Sequence, residues 1–169
     1  QRGDLVLTPG EEDYVSRLYD AGISKMDASL GNVLDLLAQN LGGEPTLIVV
    51  TSDHGEEFFE HGSVEHGQGL YHEVLRVPLV IRFPDRSPTG PQSGAASLID
   101  LVPTVLYTAG LPIPKDLPGQ VLGRGNMESR FRLSAHMDGM RAISTSTSTG
   151  ERKLIVEYDE EFEEQPASV

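Results

Sequence analysis

Thr46-Leu47-Ile48-Val49-Val50-Thr51-Ser52-Asp53-His54-Gly55-Glu56-Glu57 is a short apolar, β-branched run that ends in a polar turn. A continuous run of this length is the pattern of a strand covered on both faces, and it predicts a buried parallel strand over Thr46–Thr51. In open α/β sheets ligands bind outside the carboxyl ends of the strands, so a site is expected where this run stops. There Asp53 offers a hard oxygen and His54 a borderline nitrogen. Within a regular strand the two side chains would diverge, but at a strand exit both can turn to one cation. Gly55 lets the backbone bend sharply just beyond them. The same residues also read as an ordinary loop pair that holds nothing.

Outward from this point the chain alternates regular elements with turn-rich links. Upstream, Thr8-Pro9-Gly10-Glu11 is a helix start: Thr8 caps, Pro9 suits the first helical position, and Glu11 completes a capping box. Val15, Leu18, Tyr19, Ile23, Met26, Leu30, Val33, Leu34 and Leu37 then recur at helical spacing, and Leu41-Gly42-Gly43 ends the run. This stripe predicts a helix packed against a sheet. Downstream come a short helix near Gly69–Val74, a second buried strand over Val77–Phe83, and a surface segment over Pro84–Gly94. A helix over Ser97–Ala109 and a Pro- and Gly-rich connection over Leu111–Gly125 follow. Three strands, Phe131–Met137, Met140–Thr145 and Lys153–Tyr158, close the pattern, with Ser144–Thr149 as a mobile hairpin tip and a frayed acidic end over Glu157–Glu164. The fold expected is α/β: the C-terminal part of a sheet over residues 1–125, then a small antiparallel β subdomain with an acidic tail over 126–169.

Charge limits the partners. The chain carries 26 acidic residues against 13 basic ones, a net charge of −13. Such a field repels nucleic acid, whose phosphates need clustered Lys or Arg. No apolar run approaches the roughly 20 residues of a membrane span. There is no cysteine, which excludes disulfides, thiolate zinc sites and a thiol nucleophile. The chain opens at Gln1 rather than Met, which suggests a fragment.

Four of the five histidines, His54, His61, His66 and His72, crowd the segment that follows the first strand. Histidine suits metal ligation, proton transfer and the binding of anionic oxygens. His72 reads as a packing or surface residue of the short helix. His61-Gly62 and His66-Gly67 sit in a glycine-punctuated loop, where a side chain can meet a substrate or simply be solvated.

Residues 46–85, TLIVVTSDHGEEFFEHGSVEHGQGLYHEVLRVPLVIRFPD, resemble the sulfatase branch of the alkaline phosphatase superfamily. The likeness continues through SLIDLVPTVLYTAGLPIP at 97–114 and the Gly119–Leu122 stretch, and extends upstream over the Leu18–Leu37 helix. The ordered set TSDHGE, HGxxLYxE and RVPLVI makes it specific. It implies a hydrolase of sulfate esters, with phosphodiester or phosphonate hydrolysis, or a non-catalytic binding remnant, as alternatives. It implies that Asp53 and His54 ligate a divalent cation, calcium first and manganese, zinc or magnesium otherwise. His66 would contact the sulfate or phosphate oxygens, and His61 is the weaker candidate for protonating the leaving group. Glu56 and Glu57 would support the site or be solvated.

The chain also departs from that family. Its nucleophile lies in a Cys/Ser-x-Pro-x-Arg motif whose Cys or Ser becomes formylglycine, and no such motif occurs here; Ser87-Pro88-Thr89 has neither the spacing nor the arginine. The other metal carboxylates come from an early strand that is absent too. Calcium takes about six to eight oxygens and zinc about four ligands, so Asp53 and His54 make half a site. The expectation is a partner substrate, a small-molecule or glycan sulfate or phosphate ester, bound only by a longer enzyme. Self-association through uncovered strands is expected of this chain alone.

Overall fold

The computed structural model describes residues 7–62, 64–66, 69–124, 131–135, 140–147 and 150–156. In chain order these form α1 (Pro9–Asn40), β1 (Ile48–Thr51), β2 (Glu57–Phe58), β3 (Val64–Glu65), α2 (His72–Leu75) and β4 (Leu79–Arg82). A 3-10 turn (Leu98–Asp100) leads into α3 (Leu101–Thr108), and β5 (Phe131–Ala135), β6 (Arg141–Thr147) and β7 (Gly150–Val156) follow. They divide between two compact units, Gln1–Pro45 with Glu57–Glu65, and Thr46–Glu56 with His66–Val169. Among the described residues no helix is long and apolar enough to cross a membrane.

In the first unit α1 starts as its capping box predicts. The Glu11 carboxylate accepts the Thr8 backbone N–H at 2.8 Å and the Thr8 hydroxyl at 2.7 Å. These bonds, the backbone one first, hold Glu11 below the usual carboxylate range. The helix closes at Leu41, whose N–H reaches the Leu37 carbonyl. Gly42 and Gly43 then turn the chain at φ of 57° and 88°, where side chains are disfavoured. The prediction that the apolar stripe packs against a sheet is not met: no residue of α1 is buried, and Leu18, Ile23, Met26 and Val33 are exposed. Among the described residues of its unit the 32-residue helix has only the two-residue strands β2 and β3 for company, far too little surface to cover such a face. Tyr19 meets Phe58 of β2 edge-on, with ring centroids 5.0 Å apart.

In the second unit β1 pairs with β4, in the register Ile48↔Arg82 to Thr51↔Leu79, and the pairing is antiparallel. This corrects the buried parallel strand expected from the apolar run. With β4 as its sole described neighbour, β1 is only half-buried, and Val80 on β4 is 63% exposed. A two-stranded ribbon cannot shield both of its faces. The short helix lies at His72–Leu75, slightly later than expected, with Val74 buried.

Ser97 opens the next helix by donating its N–H to Asp100 Oδ2 at 2.8 Å, so the first turn tightens into the 3-10 form before α3 begins. Asp100 and Thr104 are fully buried and bind the following connection: Gln120 N–H donates to Asp100 Oδ1 at 2.8 Å, and Leu122 N–H to Thr104 Oγ1 at 2.9 Å. Thr104 Oγ1 itself donates to the Asp100 carbonyl at 2.6 Å. Leu122 lies in the core with Leu70, Val74 and Phe83.

The last sheet is an antiparallel meander, β5-β6-β7, as its pattern predicts. Leu133, Ile143 and Leu154 stand in one cross-strand row, with Leu133 and Leu154 exposed, while Ala142 is buried on the opposite face. Ser144–Thr147 belong to β6 and pair with Gly150–Lys153, so four of the six residues expected in the hairpin tip are strand. Residues 136–137, 148–149 and the tail from 157 lie outside the described residues.

Candidate metal and substrate site

The carboxyl end of β1 is fastened on two sides. Thr51 Oγ1 donates to the Pro78 carbonyl at 2.8 Å, tying the strand exit to the approach of β4. The backbone then lies along α2: Gly55 N–H donates to the Val74 carbonyl at 2.7 Å and Glu56 N–H to the Glu73 carbonyl at 3.0 Å. A Cβ on Gly55 would stand 1.9 Å from the Glu73 carbonyl oxygen. Glycine is therefore required here by the closeness of α2, a stronger constraint than the bend expected from the sequence.

Between these anchors Asp53 and His54 turn towards each other, with Asp53 Oδ1 and His54 Nε2 3.8 Å apart. Ser52 Oγ donates to the His54 carbonyl at 2.6 Å, and the His54 N–H donates to Asp53 Oδ1 at 3.0 Å. Asp53 is 88% exposed, and its pKa is held below the usual carboxylate range by its own backbone N–H first, then by the charge of His54 and the His54 N–H. It is therefore an anion across the neutral range.

The ring of His54 is oriented by Nδ1, which lies 2.8 Å from the Gly55 carbonyl oxygen. A carbonyl can only accept, so Nδ1 carries the hydrogen, and the neutral form of the ring would present its lone pair on Nε2, which lies 3.8 Å from Asp53 Oδ1. Metal-bound histidines are commonly oriented this way, through a backbone carbonyl on the other nitrogen. Two bonds of about 2.0–2.6 Å to one cation span a 3.8 Å separation, so the donor pair fits a divalent ion.

His66 comes to the same place from the far side of the loop. Its ring stacks on that of His54, with centroids 3.9 Å apart and planes inclined by 26°. His66 Nδ1 lies 3.3 Å from Glu56 Oε1. Asp53, His54, Glu56 and His66 thus gather in the second unit at the end of β1. His61 belongs to the first unit, where its N–H donates to Glu57 Oε1 at 3.0 Å and its ring nitrogen lies within 4.8 Å of that carboxylate. Glu57 is buried, not solvated. His72 is half-exposed, 3.9 Å from the Glu151 carboxylate on β7. The contact of Glu56 with His66 escaped sequence reasoning, since no spacing rule links a residue beside a strand exit to one across an irregular loop.

A family model described as Sulfatase matches residues 8–111. N-acetylglucosamine-6-O-sulfatase of Bacteroides thetaiotaomicron is 34% identical over 126 residues, 72% of this chain and 22% of its own length. Arylsulfatase K of Bos taurus is 34% identical over 116 residues, 69% of this chain and 21% of its own. A solved structure in complex with its substrate D-glucosamine-2-N,6-O-disulfate aligns at a TM-score of 0.63 and 28% identity, covering 83% of this chain and 31% of that one. The chain spans about a fifth of the length of the curated relatives it matches.

Proposed function

Because the chain belongs to the sulfatase family, we propose that it is part of a metal-dependent sulfuric ester hydrolase, carrying one share of the metal and substrate site. The observation that carries this reading is the orientation of His54: its Nδ1 is committed to the Gly55 carbonyl, and its Nε2 stands beside the ionised Asp53. Asp53 and His54 would hold the cation, calcium in the first instance. When bound, the cation supplies positive charge that draws an ester anion into an acidic protein and favours ionisation of the nucleophile.

The chain's own groups do the rest. Asp53 contributes a full negative charge at a strand exit, and the Gly55 and Glu56 backbone bonds to α2 keep it from drifting. His66, stacked on His54, would meet the non-bridging oxygens of the ester, and in its doubly protonated form it donates to them as charge builds. His61 is the secondary candidate for giving a proton to the leaving group. The formylglycine nucleophile and the remaining ligands would come from sequence outside these 169 residues. The substrate class favoured is a sulfated amino sugar, because the structural neighbour holds D-glucosamine-2-N,6-O-disulfate. The meander β5–β7 would form a small subdomain of its own, and its expected boundary at residue 126 lies outside the described residues. Taken alone, the chain would self-associate through uncovered apolar positions such as Val80, Leu133 and Leu154, to be seen as dimers or larger species in sedimentation.

Two assays test the reading. The chain alone, supplied with calcium, manganese or zinc, should hydrolyse neither an aryl sulfate nor an aryl phosphate. Residues 46–122, grafted in place of the matching segment of the Bacteroides relative, should sustain sulfate ester hydrolysis, and Asp53→Asn in the graft should abolish it. A folded graft that hydrolyses only phosphate esters, or is indifferent to Asp53→Asn, would overturn it.

A further inference from the structure

His66 is held from two directions. One face lies on the His54 ring, and its Nδ1 edge faces Glu56 Oε1 at 3.3 Å. A stacked ring can still turn over by about 180° around χ2, which keeps the stack and exchanges its Nδ1 and Cδ2 edges. A hydrogen bond at one edge removes that freedom and decides which nitrogen faces outward. Glu56 is well placed for this task because its own backbone is immobilised by the 3.0 Å bond to the Glu73 carbonyl. Its side chain is 22% exposed, against 52% for His66, so the carboxylate approaches the ring from the protein side.

From this geometry we propose that Glu56 is the positioning residue of the site, setting the tautomer of His66 and which of its two χ2 flips it adopts. A carboxylate oxygen in this contact accepts, so Nδ1 is the donor. Nε2 is then the nitrogen that faces outward, a lone pair in the neutral ring and a donor to ester oxygens once the ring carries its second proton. The device repeats, with a side chain, what the Gly55 carbonyl does for His54: both imidazoles are anchored through Nδ1. The functional meaning rests on the reading of His66 as the group that meets the ester oxygens, whereas the geometry of the pair does not depend on it.

Imidazole nitrogen NMR on the full 169-residue chain, free of metal and substrate at about pH 8.5 where histidines are neutral, tests the assignment. An unconstrained histidine favours the Nε2–H form, so an Nδ1–H majority at His66 is a diagnostic signature. It is expected in the unaltered chain and in Glu56→Gln, whose amide oxygen still accepts. In Glu56→Leu it should fall to a minority, while His54 stays Nδ1–H. An Nε2–H majority at His66 in the unaltered chain would overturn the assignment, as would an unchanged Nδ1–H majority in folded Glu56→Leu. Should Glu56→Leu unfold, the unaltered chain and Glu56→Gln decide. Failure of the hydrolase reading appears separately, as indifference of the graft to Asp53→Asn, and leaves this readout untouched.

Discussion

The imidazoles of His54 and His66 lie face to face at 3.9 Å, although one leaves the end of β1 and the other returns from the opposite side of the loop. Only His54 stands beside Asp53, at 3.8 Å, and the two histidines accordingly should differ in what they bind. In a calorimetric titration with manganese or calcium, Asp53→Asn and His54→Ala should each weaken binding by about tenfold or more. His66→Ala should leave cation affinity within about twofold, since it removes no ligand atom. Equal losses from all three would assign His66 to the metal instead.

Gly55→Ala should be among the most damaging small substitutions. Its methyl group would sit 1.9 Å from the Glu73 carbonyl oxygen, a backbone atom that cannot swing aside. Either the loop or α2 must move, at a cost of about 1–3 kcal/mol by analogy with overpacked cores. Denaturant unfolding measures the loss, and the cation affinity should fall with it because His54 is displaced.

The buried pair Asp100 and Thr104 should act as one unit. Thr104→Val strands the Leu122 N–H, and Asp100→Ala strands those of Ser97 and Gln120. The orphaned Leu122 donor is buried and costs about 1–3 kcal/mol, and the part-buried Ser97 and Gln120 donors cost less because water can reach them. Both residues fasten the same connection, so unfolding of the double variant should show less than the summed loss.

Asp85 gives a pH dependence of known sign. Its ion pair with Arg124, then the Ser87 N–H, holds its carboxyl below the usual range. The unfolded chain binds that proton more readily, so the pair stabilises the fold above the ordinary carboxylate value of about 4. The contribution is lost as pH falls through the lowered folded value. Thermal melts should place Asp85→Asn below the unaltered chain at neutral pH, with the gap closing under strong acid. The gap should be small, as befits an exposed pair.

Lys153 should respond in the opposite sense. Among the described residues its Nζ is buried without a hydrogen-bond partner, and loss of solvent pushes its pKa down despite the nearby Glu151 and Glu73. Its charge therefore burdens the folded state at neutral pH. Lys153→Met should raise the melting temperature there. That gain should shrink as pH climbs from the lowered value towards about 10.4, where the native lysine sheds its proton first.

What the sequence determined by itself is the set of features written in consecutive residues. The span of α1 from its capping box to Gly42, the strand run ending at Thr51, the meander, and the emergence of Asp53 and His54 at a strand exit are all local. Periodicity and capping act over a few residues, and so they read directly. Tertiary structure decided everything that depends on two distant stretches meeting. The antiparallel pairing of β1 with β4 was hidden because a continuous apolar run signals burial but carries no direction. Solvation and support were equally open readings for Glu56, until the fold brought His66 within 3.3 Å of its carboxylate. Gly55 looked like a bend and proved to be a point of contact with α2, since a glycine's missing side chain shows only when something occupies that space. The chemistry of this site is carried by residues legible one at a time, and its arrangement by hydrogen bonds and stacking that exist only once the loop has closed.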